Sequence, residues 1–293
     1  MPATRILIDP KRNRRRKFMD KAFKVVAVAS TLAAIAILAI LLGKLVNDGW
    51  RYLNLELITN FPGRRPEGSG VRSAIMGSIW VVSLTALFTI PIGIGAAIWL
   101  EEFNDRKNWF TELIRLNIQN LSAIPSIIYG LLGLVVFVTW LNFERSILAG
   151  ALTMSLLILP MLILVSQEAL KAVPQAYREA SIGLGATRWQ TITRVVLPSA
   201  LSGILTGIIL SLSRVIGETA PLIVVGAVTF AGFSPRNVWD NYTVLPLQIF
   251  DWIQRPQPGF HDKAAGAILL LMIALLALNS IAIILRIRSQ KSH

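Results

Sequence analysis

Apolar residues run along this chain in long blocks, and the polar residues collect in the stretches between them. Six blocks, at 25–46, 74–100, 119–140, 147–166, 199–230 and 264–285, each supply about the 20 helical residues that a hydrocarbon core roughly 30 Å thick requires. The pattern predicts an all-α membrane protein with six transmembrane helices. The first block is longer than the roughly 7–15 residues of a signal-peptide core and follows a polar lead-in of about twenty residues, so it reads as a retained anchor. Pro91, Pro125, Pro160 and Pro221 fall within or near the blocks. Each removes an amide donor and frees a carbonyl, which predicts broken helices.

Two polar segments are too patterned to be plain linkers. Between the fourth and fifth blocks lies EALKAVPQAYREASIGLGATRWQTITRVVLPSALSG, which reads as two short helices. Pro174 suits a helix start, Gly183 and Gly185 interrupt the chain, and 186–195 forms a second helix before Leu197-Pro198 opens the next block. Ala180, Gly183, Leu184 and Trp189 give a small apolar surface ringed by Arg178, Arg188 and Arg194, suited either to docking a partner or to a bland amphipathic connector. The segment 232–263 is rich in Pro, Trp, Asn and Asp, and its Trp239, Tyr242 and Trp252 suit a membrane–water interface. It reads either as a loop dipping back towards lipid or as an ordinary surface loop.

Composition agrees with a membrane protein: 54% of the 293 residues are hydrophobic and 15% charged, with a mean hydropathy of +0.61. A net charge of +13 would point to nucleic acid in a soluble chain. Here nine basic residues, from Arg5 to Lys24, crowd ahead of the first block, and no polar domain exists to read bases. The cluster is an orientation signal that predicts cytoplasmic N- and C-termini. The segments then assigned to the cytoplasm collect Arg106, Lys107, Arg115, Lys171 and Arg286, although the outer segment 47–73 also carries Arg51, Arg64, Arg65 and Arg72. The absence of cysteine excludes disulfides, Fe–S clusters and thiol catalysis. His261 and His293 stand too far apart for a histidine metal site, and no cofactor is expected.

The stretch SLSRVIGETAP, 211–221, places two charges inside an apolar block. Positions 214 and 218 differ by about 400° around a helix, so Arg214 and Glu218 lie on nearly one face. Extended backwards, that face brings in Ser211, Gly207 and Gly203, the last two forming a small-xxx-small pattern for close helix approach. Pro221 leaves the carbonyl of Gly217 without its helical donor, so the helix is expected to bend or unwind there. The pair is either a packing salt bridge or a contact in which Arg214 offers its fork of donors to a passing oxyanion while Glu218 orients it.

The spacing in the polar segment is specific. Glu179-Ala180-Ser181, then Gly185, then nine residues to Val195-Val196-Leu197-Pro198 resembles the EAA signature of ABC-importer permeases, with Ser181 for the second alanine and Val195 for isoleucine. The stretches IPIGIGAAIWLEEF (90–103), NLSAIPSIIYGLLGL (120–134), SRVIGETAPLIVVGA (213–227) and VLPLQIFDWIQRPQ (244–257) are similar to the PstA-type permease subunit of the phosphate importer. The resemblance covers about residues 70–286. It implies the type I ABC-importer permease fold, with cytoplasmic coupling helices between the fourth and fifth spans and no enzymatic activity. It also implies a bacterial cell-membrane complex with a related second permease, an ATPase dimer and an external phosphate-binding protein. Arg214, Glu218 and Ser211 then fall on the translocation path, and Glu179, Ala180, Ser181, Gly185, Leu197 and Pro198 on the ATPase-coupling loop. The expected division is a basic segment (1–24), an anchor (25–46), an external loop (47–73), a permease domain (74–285) and a tail (286–293). No G-x-x-x-x-G-K-[ST] occurs, so ATP-driven work must come from a partner. The rival readings are a self-sufficient ion- or proton-coupled carrier using Glu218 and, further off, a membrane enzyme, for which a lone Arg–Glu pair makes a poor active site.

Overall fold

A computed structural model describes residues 10–103, 109–228 and 230–291, so Arg5, Arg106, Lys107 and His293 lie outside the described residues. The described residues form helices and loops, with no strand among them. In chain order the helices are α1 (Pro10–Gly49), α2 (Leu55–Thr59), α3 (Arg72–Glu102), α4 (Trp109–Ser122), α5 (Ser126–Gly133), α6 (Ile147–Lys171), α7 (Gln175–Gly183), α8 (Arg188–Thr191), α9 (Leu197–Gly217), α10 (Ala220–Val225), α11 (Leu245–Gln254) and α12 (Pro258–Lys291). A π-helical turn, Leu134–Trp140, prolongs α5, and another, Ile192–Val196, joins α8 to α9.

Five described helical stretches are long and apolar enough to cross a membrane, and a sixth crossing arises if α4 and the α5 extension count as one bent span. The most apolar window of α6 is 67% buried, against 28% in α3 and in the span ending at Gly217, 11% in α12 and none in α1. The sixth element is therefore the axis of the bundle. It packs against α3 on one side and α9 on the other, α12 lies on α9 and α11, and α1 lies against α12. Between membrane helices, apolar burial gives little net drive, because lipid tails are as apolar as leucine, so close packing and hydrogen bonds must order the bundle. Hydroxyls serve this role: Thr85 on α3 donates to the carbonyl of Ala151 on α6 at 3.2 Å, and Ser213 on α9 donates to Asn279 on α12 at 2.7 Å.

Two of the four prolines mark breaks. The axes before and after 123–125 differ by 104°, with Pro125 at the N-cap of α5, and Pro221 lies in the first turn of α10. In both places the missing amide is one that a helix start leaves unpaired anyway. Pro91 and Pro160 instead stay inside the unbroken α3 and α6, the two helices packed most intimately together, so the expectation of a break fails there. The lead-in and the first apolar block likewise form one continuous helix from Pro10.

The segment after α10 serves the far end of α6. The amides of Ile147 and Leu148, which have no helical acceptor, donate to the carbonyls of Asp240 and Val238 at 3.1 and 3.0 Å, and the Ser146 side chain caps Ala149. The Asp240 carboxylate accepts from the amides of Arg236 and Asn237, which hold its carboxyl below the usual carboxylate range. The chain then returns into the bundle as α11 against α12 and α3. Trp239 is exposed as an interfacial side chain would be, but Tyr242 and Trp252 are fully buried and pack the core instead of a membrane–water belt.

Candidate functional site

Helix α9 ends at Gly217, and Glu218 adopts an extended backbone (φ −85°, ψ 129°) before the chain turns into α10. The expected single helical face therefore stops one residue short of the carboxylate. Arg214 Nε and Glu218 Oε2 are 4.0 Å apart, with the side chains 41% and 20% exposed, so the two groups attract without sharing a hydrogen bond. Ser211 is not with them. Residues Ile204, Gly207, Ser211 and Val215 form the buried stripe of α9, while Arg214 projects from the neighbouring exposed stripe. The Ser211 hydroxyl is buried with no hydrogen-bond partner among the described residues.

The small residues of α9 do what their spacing suggests. A Cβ on Gly203 would meet that of Ala169 at 2.6 Å, and one on Gly207 would meet Val165 at 2.8 Å, so both admit α6. The helix that follows the break after Gly217 packs on the helix that follows the break at 123–125. Helix α10 packs on α5, and a Cβ on Gly130 would lie 2.8 Å from Pro221 Cα. Helices α5 and α10, each starting at a break, thus pack on each other, and irregular backbone at membrane depth is tolerated only where protein or a water-filled cavity surrounds it.

At the end of the bundle where α3 and α6 terminate, the polar segment forms a compact loop. Pro174 caps α7, and a reciprocal capping box of Thr187 and Gln190 starts α8 at Arg188, two residues later than expected. Gly185 lies in the left-handed region at φ +87°, a conformation that favours glycine, and nothing approaches its missing Cβ within 4 Å. Leu184 is 91% exposed and Trp189 60% exposed, with Tyr177 and Ile182 nearby on α7, giving an apolar surface that the chain itself does not cover. Glu179 and Ala180 lie on α7, and Leu197 and Pro198 open α9. Among the described residues no group of acidic or histidine side chains could hold a metal ion.

Residues 89–286 match the family described as the binding-protein-dependent transport system inner membrane component. The chain belongs to this family. It is a multi-pass membrane permease component of an ABC importer. Among relatives, a probable ABC transporter permease protein, YqgI, of Bacillus subtilis is 32% identical, with 90% of this chain and 94% of that one covered. The phosphate transport system permease protein PstA of Yersinia pestis is 31% identical, with 95% and 92% covered. Among solved structures, a bacterial alginate ABC transporter superposes with a TM-score of 0.64 at 17% identity, covering 92% of this chain and 94% of that one. The MetNI methionine ABC transporter gives 0.59 at 17% identity, covering 74% and 96%. These likenesses show the ABC-importer permease fold.

The permease holds its loop by contacts that sequence reasoning did not single out. Ser181, the departure from the EAA pattern, shares a 2.9 Å hydrogen bond with the buried Thr191 and so ties α7 to α8. Arg178, expected among the exposed ring, turns inward to Glu102, with nitrogen–oxygen distances of 2.6 and 3.2 Å. Arg188 stacks over Phe103 at 5.5 Å. Of the expected ring, Arg194 alone stays on the exposed side without a partner drawn from α3. The signal available beforehand was LEEF at the end of the second block, whose paired acids had no assigned partner.

Proposed function

We propose that this permease passes inorganic phosphate inward as one half of a two-permease pore, driven by an ATPase dimer docked on the α7–α8 loop and supplied by an external phosphate-binding protein. The observation that carries the substrate reading is Arg214, whose guanidinium stands partly exposed in the last turn of α9, beside the break that follows Gly217, and 4.0 Å from its counter-charge. A bidentate pair would commit one edge of the guanidinium to its carboxylate, whereas a loosely held one leaves the whole planar fork for a tetrahedral oxyanion. Weak retention is what a conducting path requires, since an ion must bind well enough to enter and poorly enough to leave. The likeness to phosphate permeases over most of the chain supports the same substrate.

On this reading Glu218 orients Arg214, and Ser211 acts from the packed stripe beside them. Glu179, Ala180, Ser181, Gly185, Leu197 and Pro198 belong to the loop that receives the ATPase. A self-sufficient carrier would have no use for such a loop, and membership of a binding-protein-dependent family does not favour it. The test is uptake of radiolabelled phosphate into vesicles holding both permeases, the ATPase and the binding protein. ATP-dependent phosphate uptake, undiminished by excess sulfate, is expected. ATP-independent uptake, or uptake of sulfate in preference to phosphate, would overturn the reading.

A further inference from the structure

Three arginines from three elements converge on the last turn of α3. Arg115 of α4 donates to the carbonyl of Leu100 at 2.8 Å and to Glu101 at 3.2 Å. Arg188 of α8 stacks on Phe103. Arg178 of α7 does most: Nε and Nη2 grip the two oxygens of Glu102, Nη1 donates to the carbonyl of Val173 at 2.7 Å, and Nη2 also donates to that of Leu170 at 2.9 Å. The Arg178 and Glu102 side chains are 15% and 8% exposed. Leu170 lies in the last turn of α6. One guanidinium therefore joins the docking helix to the ends of both α3 and α6, the pair at the centre of the bundle.

The chemistry suits a rigid joint. Carbonyls at helix C-termini carry partial negative charge and favour a cation, and the planar guanidinium can satisfy a carboxylate and two carbonyls at once. An ammonium has no such fork and cannot reproduce the directions. The rest of the loop is tied to the same body through Ser181 and Thr191 and through Trp189, whose ring lies 6.2 Å from that of Phe103, while Leu184 is 91% exposed. We propose that Arg178 is a positioning residue for transport: it makes α7 and the ends of α3 and α6 move as one body, so that displacement of the loop reaches α9 and the Arg214 break through α6. The proposal rests on the reading of this loop as the ATPase-docking element.

The test follows motion at the break in the assembled complex. Gly217 is exposed with nothing within 4 Å of its missing Cβ, and the chain has no cysteine, so Gly217→Cys provides a single reporter thiol in this subunit. ATP should change its rate of maleimide labelling with Arg178 in place. Arg178→Lys and Glu102→Gln should each still capture the ATPase, yet reduce that ATP-dependent change by about tenfold, as expected when a bidentate charged joint is lost. A full response in either variant overturns the proposal. Loss of ATPase capture in both also overturns it, since the pair is then only scaffold. If ATP leaves the reporter unchanged with Arg178 present, the docking premise fails and the joint with it. A responsive reporter in a complex that moves no phosphate would instead sink the substrate reading alone.

Discussion

Arg214 and Glu218 set the energetic question at the scale of single residues, because insertion scales place each ionised group near the membrane centre at a cost of roughly 2.5–3.5 kcal/mol. A tight buried pair would recover much of this, but these groups are 4.0 Å apart, and Arg214 is the more exposed of the two. If the pair only packed, removing one partner would leave an uncompensated charge within the apolar span, and assembly would suffer. The translocation reading expects otherwise. Arg214→Lys should insert and assemble while phosphate uptake falls by roughly ten- to a hundredfold, as for one lost charge-assisted hydrogen bond or two. Combining Arg214→Met with Glu218→Leu removes the whole pair and should restore packing without uptake. Normal uptake by that double variant would make both residues scaffolding.

At the scale of elements, the docking loop turns on Gly185. Its open surroundings mean that no neighbour in this chain needs the missing Cβ, so substitution is resisted by the backbone, at about 1–2 kcal/mol for a side chain forced into the left-handed region. Gly185→Val should therefore disorder the turn between α7 and α8. Gly185→Asn, which tolerates that conformation better, should keep the turn and weaken ATPase capture only if the partner's backbone comes close. Pull-down of the ATPase with both variants checks this, and equal retention in both would remove Gly185 from the interface. Much of this element was legible in the sequence, because capping residues, glycines and the EAA spacing are local signals. The direction of Arg178 was not, since its partner Glu102 lies 76 positions away and periodicity does not say which face another helix covers. Glu218 was misplaced for a related reason: a count of 400° assumes a helix, and the helix ends at Gly217. Tyr242 and Trp252 were read by residue type as interfacial, and only tertiary packing shows them inside.

At the scale of the whole molecule, the contacts sort the chain into two ends independently of any charge rule. One end gathers the finish of α1 with the starts of α3, α6 and α12: Tyr52 donates to Asp262 at 3.0 Å, Arg255 donates to the carbonyl of Gly63 at 3.2 Å, and Ser78 accepts from the amide of Leu245. The other end gathers the finish of α3 and α6 with α7 and α8, joined by Arg178. Because α6 runs from the first end to the second, Trp239 and Leu184 must lie on opposite faces of the membrane. The basic lead-in of α1 is on the Leu184 end, since α1 finishes at the other. Positive charge flanking a span tends to be retained in the cytoplasm, so the expected orientation has the docking loop inside, where ATP is. Arg65→Cys and Trp239→Cys should thus react with a membrane-impermeant maleimide on intact cells, while Leu184→Cys and Lys17→Cys should react only after permeabilisation. Leu184 and Trp239 are exposed in this chain, and expression without the ATPase keeps Leu184 uncovered, so burial does not explain a missing signal. Labelling of Leu184→Cys from outside would invert the molecule, and with it both the docking of the ATPase and the inward direction of transport would fall.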